Sequence, residues 1–532
     1  MTTSLRAPGR ALGALLLLCL AGVLACTDLT ESPKSALTPE NFYRNEAEVL
    51  GGLAAVYADL GGSDNHGTLW AYYNLSEIST DEMIVPTRGP DWFDNGRWLE
   101  IHRQTWAAGS SSGLDDIQNA WVVPFRGVAR ANVVLDALNR VDIPNEAGVV
   151  AELRGLRALY YYMLLDMFGG VPISTDIEIK PRPRVTRDSL FKFIESELKA
   201  VRQVLPATRP AAESGRLTKG ACAAILANMY VNAQVFTGTV TAAGLTPGTA
   251  RWQEASNWAD SVMNGPYTLA TNWRSIFTAD NDNSTENILV VKNQNADVVG
   301  LNFPQRALHY NQFTPSPWNG FASLAETYRA FDAADARRQV FLVGQQYNFD
   351  KLARGDSTPA KDRQGQPLIF TDTIGDATDA KENEGPRILK WPPDPNHLNE
   401  NNGNDFAYFR LGEMYLIKAE AQLRLGFPAT ALTLLNTLRA RVFNPPKLLA
   451  VANDSTLLAE RLFELTGEAK RRQDLIRFNK YTQRVDLQVR KGKVLSDPYR
   501  ILMPIPTTQL AANPCLNQNP GYGAPATPAA CP

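Results

Sequence analysis

Two stretches of the chain gather side chains that can grip a ligand. One is Arg88-Gly-Pro-Asp91-Trp92-Phe93-Asp94-Asn95-Gly96-Arg97-Trp98. The other is Tyr310-Asn311-Gln312, followed by Trp318-Asn319. Flat indole and phenol faces stack on the C–H patches of a sugar ring, while carboxylates, amides and guanidinium groups bind its hydroxyls. The two stretches therefore carry the chemistry of saccharide recognition across one shallow surface. Trp92, Trp98 and Trp318 are the expected stackers. Tyr310, Asn319 and Asp94 accompany them, with Asp81 and Arg88 on the flank. The same residue types also build cores, so each loop tryptophan has a second reading as packing. Polar and turn residues surround Trp92, whereas Trp98 stands in the patterned segment RWLEIHRQTW. Trp106 and Trp121 lie in patterned segments and read as core.

Other chemistries leave no trace. The chain has no HExxH, GxSxG, P-loop, GxGxxG or CxxC, the spacings that mark metalloproteases, serine hydrolases, nucleotide sites and thiol pairs. His66, His102, His309 and His397 are dispersed without metal-ligand spacing, so neither a metal nor a cofactor is expected. Asp280-Asn-Asp282-Asn-Ser284 matches the opening of a calcium loop. It lacks the following glycine and the closing glutamate, position 291 being Val. A glycosidase pair of carboxylates is defined by separation in space, which sequence does not show. With 53 basic and 55 acidic residues the net charge is −2, so no basic field favours nucleic acid. Arg471, Arg472, Asp474 and Arg477 read as a solvated or internally bridged helix cluster, and so do Asp335, Arg337 and Arg338.

The elements that must position the loops are helical. In Phe409–Val442, Leu411, Met414, Tyr415, Ala419 and Leu423 recur at helical spacing. Gly426 suits a helix end, Pro428 suits the next start, and Ala431, Leu435 and Leu438 form the facing stripe. The same four-then-three spacing recurs in Ile194, Leu198, Val201 and in Ala255, Ala259, Val262, each after a helical, aromatic-rich segment. Three copies point to stacked tetratricopeptide-type hairpins, which bury their faces against neighbours. Further helices are expected from Thr38, at Ile117–Arg140, Val149–Phe168, near Leu324–Phe331 and at Thr456–Tyr481. Residues 61–116 and 344–405 read as irregular, and GPYTLATNWRSIF and ENILVVKN as short extended pieces.

The first 25 residues read as an export leader: Arg6 and Arg10 precede an apolar run too short to span a membrane comfortably. Val23-Leu24-Ala25-Cys26 matches a bacterial lipobox except at Leu24. Cys26 is thus the expected lipid attachment site, and simple cleavage near Ala25 is the other reading. Residues 26–37 form a polar tether. Cys515 and Cys531 bracket a Pro/Gly/Asn-rich tail and are disulfide candidates in an exported protein, though spacing alone does not fix pairing. Cys222 reads as a buried small hydrophobe.

Several segments in order resemble the RagB/SusD family of surface glycan-binding lipoproteins: the leader cysteine and tether before LTPENFY; GLRALYYYMLLDMFGGVPI; FRLGEMYLIKAEAQLRLG; GEAKRRQDLIRF; and ILMPIPTTQLAANPCLNQNPGY. The resemblance implies a mainly α body. Tetratricopeptide-like hairpins form a scaffold, and an irregular, loop-rich, ligand-binding half with a few short strands packs on it. Two regions, 38–270 and 271–532, make up one body. The resemblance also implies a non-catalytic protein, lipid-anchored at the outer membrane and exposed on the cell. Its partners are a glycan and a TonB-dependent, SusC-like transporter. Peptide binding or pure scaffolding is the alternative. Family ligand sites lie in variable loops, so the resemblance names no sugar contact.

Overall fold

The three four-then-three repeats fold as three helical hairpins. The computed structural model describes residues 42–62, 67–296, 300–349, 358–483, 495–523 and 531. The leader, Cys26, the tether, Thr38 and His66 lie outside the described residues. Helices α1 (Glu46–Ala58) and α2 (Gln118–Ala137) come first. The hairpins are α3 (Glu146–Phe168) with α4 (Arg187–Val204), α5 (Lys219–Val231) with α6 (Trp252–Met263), and α7 (Leu411–Arg424) with α8 (Pro428–Ala440). Each helix from α1 to α8 packs on the next, apart from α9 (Asp454–Leu465), which joins α7. The residues that defined the repeat, from Ile194 to Leu438, are all buried. They are the stripe by which one helix of a pair closes on its neighbour.

Local chemistry sets the helix ends. The side chains of Thr186 and Thr218 accept from Ser189 N and Ala221 N at 3.1 and 3.2 Å, each satisfying an orphan donor of a first turn. Asn453 and Thr456 form a reciprocal capping box at the start of α9. Gly426, at φ +87°, ends α7, and Pro428 opens α8. Two sequence expectations shift. The helical region expected over Thr456–Tyr481 is two helices, α9 and α10 (Arg471–Arg477), because residues 466–470 turn through Gly467 and Ala469 at φ +76° and +59°. Residues 68–88, expected as open loop, are almost wholly buried and include the helix Ala71–Glu77.

The irregular half lies largely between α6 and α7. Strand β1 (Asn287–Val291) pairs antiparallel with β2 (Phe406–Arg410), which runs directly into α7. Trp273–Phe277, expected to be extended, is a 3-10 turn capped by Asn272. Buried ions tie this half to the hairpins. The Arg410 guanidinium lies 2.7–2.8 Å from Glu286, Glu464 and Glu468. Arg337 reaches Glu460 and Glu464 at 2.6 and 3.0 Å, and Arg441 reaches Glu286 at 2.6 Å. Burial alone pushes the Glu464 carboxyl up, but Arg441, Arg410 and Arg337 together hold it well below the usual carboxylate range. The 471–477 and 335–338 clusters are internal in the same way. Arg472 pairs with Asp166 at 2.9 Å, Arg477 with Glu420 at 2.6 Å, and Arg337 with Asp335 at 2.7 Å.

A second buried charge cluster holds the 466–470 turn. Gly467 N donates to Glu82 at 3.0 Å and Ala469 N donates to Glu77. Burial raises the Glu77 carboxyl to about 7, and burial and then the Glu77 charge raise Glu82 as well. The calcium-like loop holds a built-in cation instead: the Lys292 ammonium lies between Asp282 and Asp405, 2.7 Å from the latter. The structure joins Cys515 to Cys531, and Cys222 is buried.

Candidate functional site

The 88–98 loop has an unusual backbone. Gly89 and Gly96 take positive φ at little cost, but so do Trp92, Asp94 and Asn95, at +62°, +38° and +54°. A non-glycine residue in the left-handed region costs on the order of 1 kcal/mol or more, and such residues persist where the surrounding structure over-determines the backbone. Surrounding structure enforces this conformation. Trp92 Nε1 donates to the Trp318 carbonyl at 2.7 Å, and Trp98 Nε1 donates to Asp94 Oδ2 at 2.6 Å. The Trp92 ring meets Trp98 and Phe321 edge-on at 5.5 and 5.6 Å. Position 320 must be glycine, because a Cβ there would lie 2.3 Å from the Trp92 indole.

The two loops read from the sequence therefore meet. Besides the Trp92–Trp318 bond, the Tyr310 hydroxyl donates to Asp91 Oδ2 at 2.5 Å. Burial, then the Asp91 hydrogen bond, raises this phenol to about 12, so it stays a neutral donor. Beside the loop opens a cleft of about 550 Å³, bordered by Trp92, Asp94, Asn95, Arg97, Leu114 and Asp115, with Trp98 and Trp70 also on its lining. Arg97 lies over the Trp98 ring at 4.3 Å and pairs with Asp115. Between the lining residues Trp92 and Asp94, Phe93 is 57 % exposed, and so is Leu114. The Asp94 Oδ1 atom and the Asn95 amide have no protein partner among the described residues, and the buried Trp70 indole N–H has none either.

The structure gives several of the expected ligand residues partners within the protein. Trp98 is 1 % exposed and forms the cleft's base rather than a free stacking face. Arg88 is buried, and its guanidinium donates to the Lys381 and Glu384 carbonyls. Asn319 is fully buried between Glu382 O, at 2.9 Å, and the Arg387 guanidinium, at 3.0 Å. The Asp81 carboxylate is bound by Arg471 at 2.7 Å and does not border the cleft. In each case a polar side chain beside a loop fastens backbone carbonyls or a buried charge that would otherwise stay unsatisfied. Tyr310 is half-buried, with the Arg363 guanidinium 4.4 Å over its ring. Trp92 and Trp318 are half-buried. Trp106 and Trp121 are core, as read.

Sequence reasoning named the stretch that holds Phe93, Asn95 and Arg97 without singling them out, and it passed over Leu114, Asp115 and Trp70. Leu114 carried a signal, as a lone apolar residue among Ser, Gly and Asp. Phe93 carried none, because its exposure follows from the left-handed residues on either side of it. Among the described residues no group of three or more His, Cys, Asp or Glu is placed to hold a metal. Among them, too, no helix is long and apolar enough to cross a membrane.

The helical hairpins form a tetratricopeptide-like scaffold, and braced loops beside it border an open aromatic cleft. The chain belongs to the SusD family. The SusD family profile matches residues 258–522, and a profile described as starch-binding associating with outer membrane matches residues 70–231. The chain is 26 % identical to the starch-binding protein SusD of Bacteroides thetaiotaomicron, over 87 % of this chain and 88 % of that one. It is 25 % identical to a SusD-like protein of Formosa agariphila, over 93 % of this chain and 96 % of that one. Among solved structures, a laminarin-binding SusD-like protein superposes with a TM-score of 0.70 at 23 % identity, covering 90 % of this chain and all of that one. The family is one of glycan-binding proteins, not of enzymes.

Proposed function

We propose that this protein captures oligosaccharides or polysaccharides at the Trp92–Asp94–Asp115 cleft and delivers them to a TonB-dependent, SusC-like transporter. It does so at the surface of an outer membrane, held there by a lipid on Cys26. The observation that carries the reading is the strained 92–95 loop, which presents Phe93 to solvent and Trp92 to the cleft beside a carboxylate oxygen and an amide with no protein partner. Rigid aromatic faces with a few free polar groups are what a sugar ring needs. The starch-binding relative, the laminarin-binding structural neighbour and the outer-membrane description of the matching profile support it. Trp318 and Tyr310 extend the aromatic surface beyond the cleft.

Binding of the form that starts after Cys26 to a panel of poly- and oligosaccharides tests the proposal. The expected result is a saturable hit that Trp92→Ala and Trp318→Ala weaken without lowering the melting temperature as far as a core substitution does. A folded protein that binds no glycan sinks the reading. For the anchor, Cys26→Ala is expected to abolish labelling by a radioactive fatty acid and to release the protein from membranes. Co-purification of a large barrel protein from detergent-solubilised membranes checks the partner.

A further inference from the structure

We infer that the cleft selects uncharged saccharides and rejects sulfated or carboxylated ones, an inference that rests on the glycan reading above. Arg97 is the one basic side chain on the cleft's described lining, and it is already paired. It pairs with Asp115, lies 3.7 Å from Asp116, and spreads its guanidinium over the Trp98 ring. Its side chain is 12 % exposed. Arg363, which covers Tyr310 on the neighbouring loop, is likewise bound to Glu382 at 2.6 Å. Facing these committed cations are Asp94, exposed, and Asp115, with 39 % of its side chain exposed. Asp116 lies behind Arg97, and burial raises its carboxyl. Even with Asp116 neutral, two carboxylates face one arginine.

The polar atoms left over fit a neutral sugar. Asp94 Oδ1 accepts from a hydroxyl, and the Asn95 amide can donate and accept. A sulfate or carboxylate would meet the two aspartates, and the one guanidinium there is already paired with Asp115 and laid over the Trp98 ring. Like charges brought together in a partly dry site repel far more strongly than they do in bulk water.

The experiment compares laminarin with chemically sulfated laminarin of matched length, and soluble starch with carboxymethyl starch, by isothermal titration at low ionic strength. At least about tenfold weaker binding of each anionic polymer is expected, with the gap narrowing as salt is added. Asp115→Asn, which loosens Arg97 from its exposed partner, is expected to narrow the gap as well. Anionic polymer binding as tight as its parent overturns the inference and leaves the glycan reading standing. So does a gap that Asp115→Asn and salt both leave unchanged in folded protein. If the wild type binds no glycan at all, charged or neutral, the glycan reading itself falls, and this inference with it.

Discussion

Replacing Phe93 by alanine separates ligand contact from packing most cleanly. The side chain is 57 % exposed in the free protein. A fully buried aromatic side chain removes about 200 Å² from water, so roughly 100 Å² of Phe93 remains for a ligand. One face of the ring meets a stacked sugar, about half of that area. At about 25 cal/mol per Å² this contributes on the order of 1.3 kcal/mol, close to a tenfold change in Kd. The exposed ring contributes little to folding, so the melting temperature of Phe93→Ala is expected to stay within about 1 °C of the parent, in keeping with surface substitutions. The assay is titration calorimetry against the best glycan of a panel, with differential scanning calorimetry on the same samples. Unchanged affinity in a folded Phe93→Ala protein would refute the stacking argument. A large fall in melting temperature would refute the claim that the ring is free.

Three further outcomes follow from the packing. Trp98→Ala removes a buried ring, its bond to Asp94 and the face under Arg97, and is expected to cost about 3–5 kcal/mol in chemical unfolding, with binding lost as the cleft base collapses. Arg410→Met leaves Glu286, Glu464 and Glu468 short of a buried partner; a loss of about 3–5 kcal/mol is expected, with glycan affinity per folded molecule unchanged. Glu77 contributes to the pH dependence, in the same direction as its neighbour Glu82. The Glu77 carboxyl titrates near 4.5 unfolded and is raised to about 7 by burial when folded. Its contribution to stability is therefore complete below about pH 4.5 and is lost as pH rises through 7. Melting curves from pH 5 to 8 are expected to fall less steeply in Glu77→Gln than in the parent. Glu464 and Glu468 act in the opposite direction. Their pKa values are depressed, so they stabilise above the ordinary carboxylate range and lose that contribution as the solution is acidified.

The sequence by itself determined the scaffold. Helix faces repeat every three to four residues, caps and stops are local, and burial at Ile194, Ala255 or Ala431 is decided by spacing that a linear chain displays. Ordered family segments carried the resemblance for the same reason. The site was legible only as a pair of loops. That the loops meet, and that Trp92 and Asp94 border one cleft, agrees with the reading. Which indole faces solvent did not follow from residue type. Trp92 and Trp98 share a loop and a chemistry, yet the left-handed residues Trp92, Asp94 and Asn95 turn Phe93 outward while Trp98 closes the base. Arg88, Asn319 and Asp81 looked like ligand groups because unpaired polar residues beside aromatics do. The tertiary structure assigned them to the Lys381, Glu384 and Glu382 carbonyls and to Arg471, partners hundreds of residues away for Arg88 and Asp81 and 63 residues away for Asn319. A buried donor or charge must find its partner wherever the fold brings one, and that pairing is a property of three-dimensional proximity that no local spacing encodes.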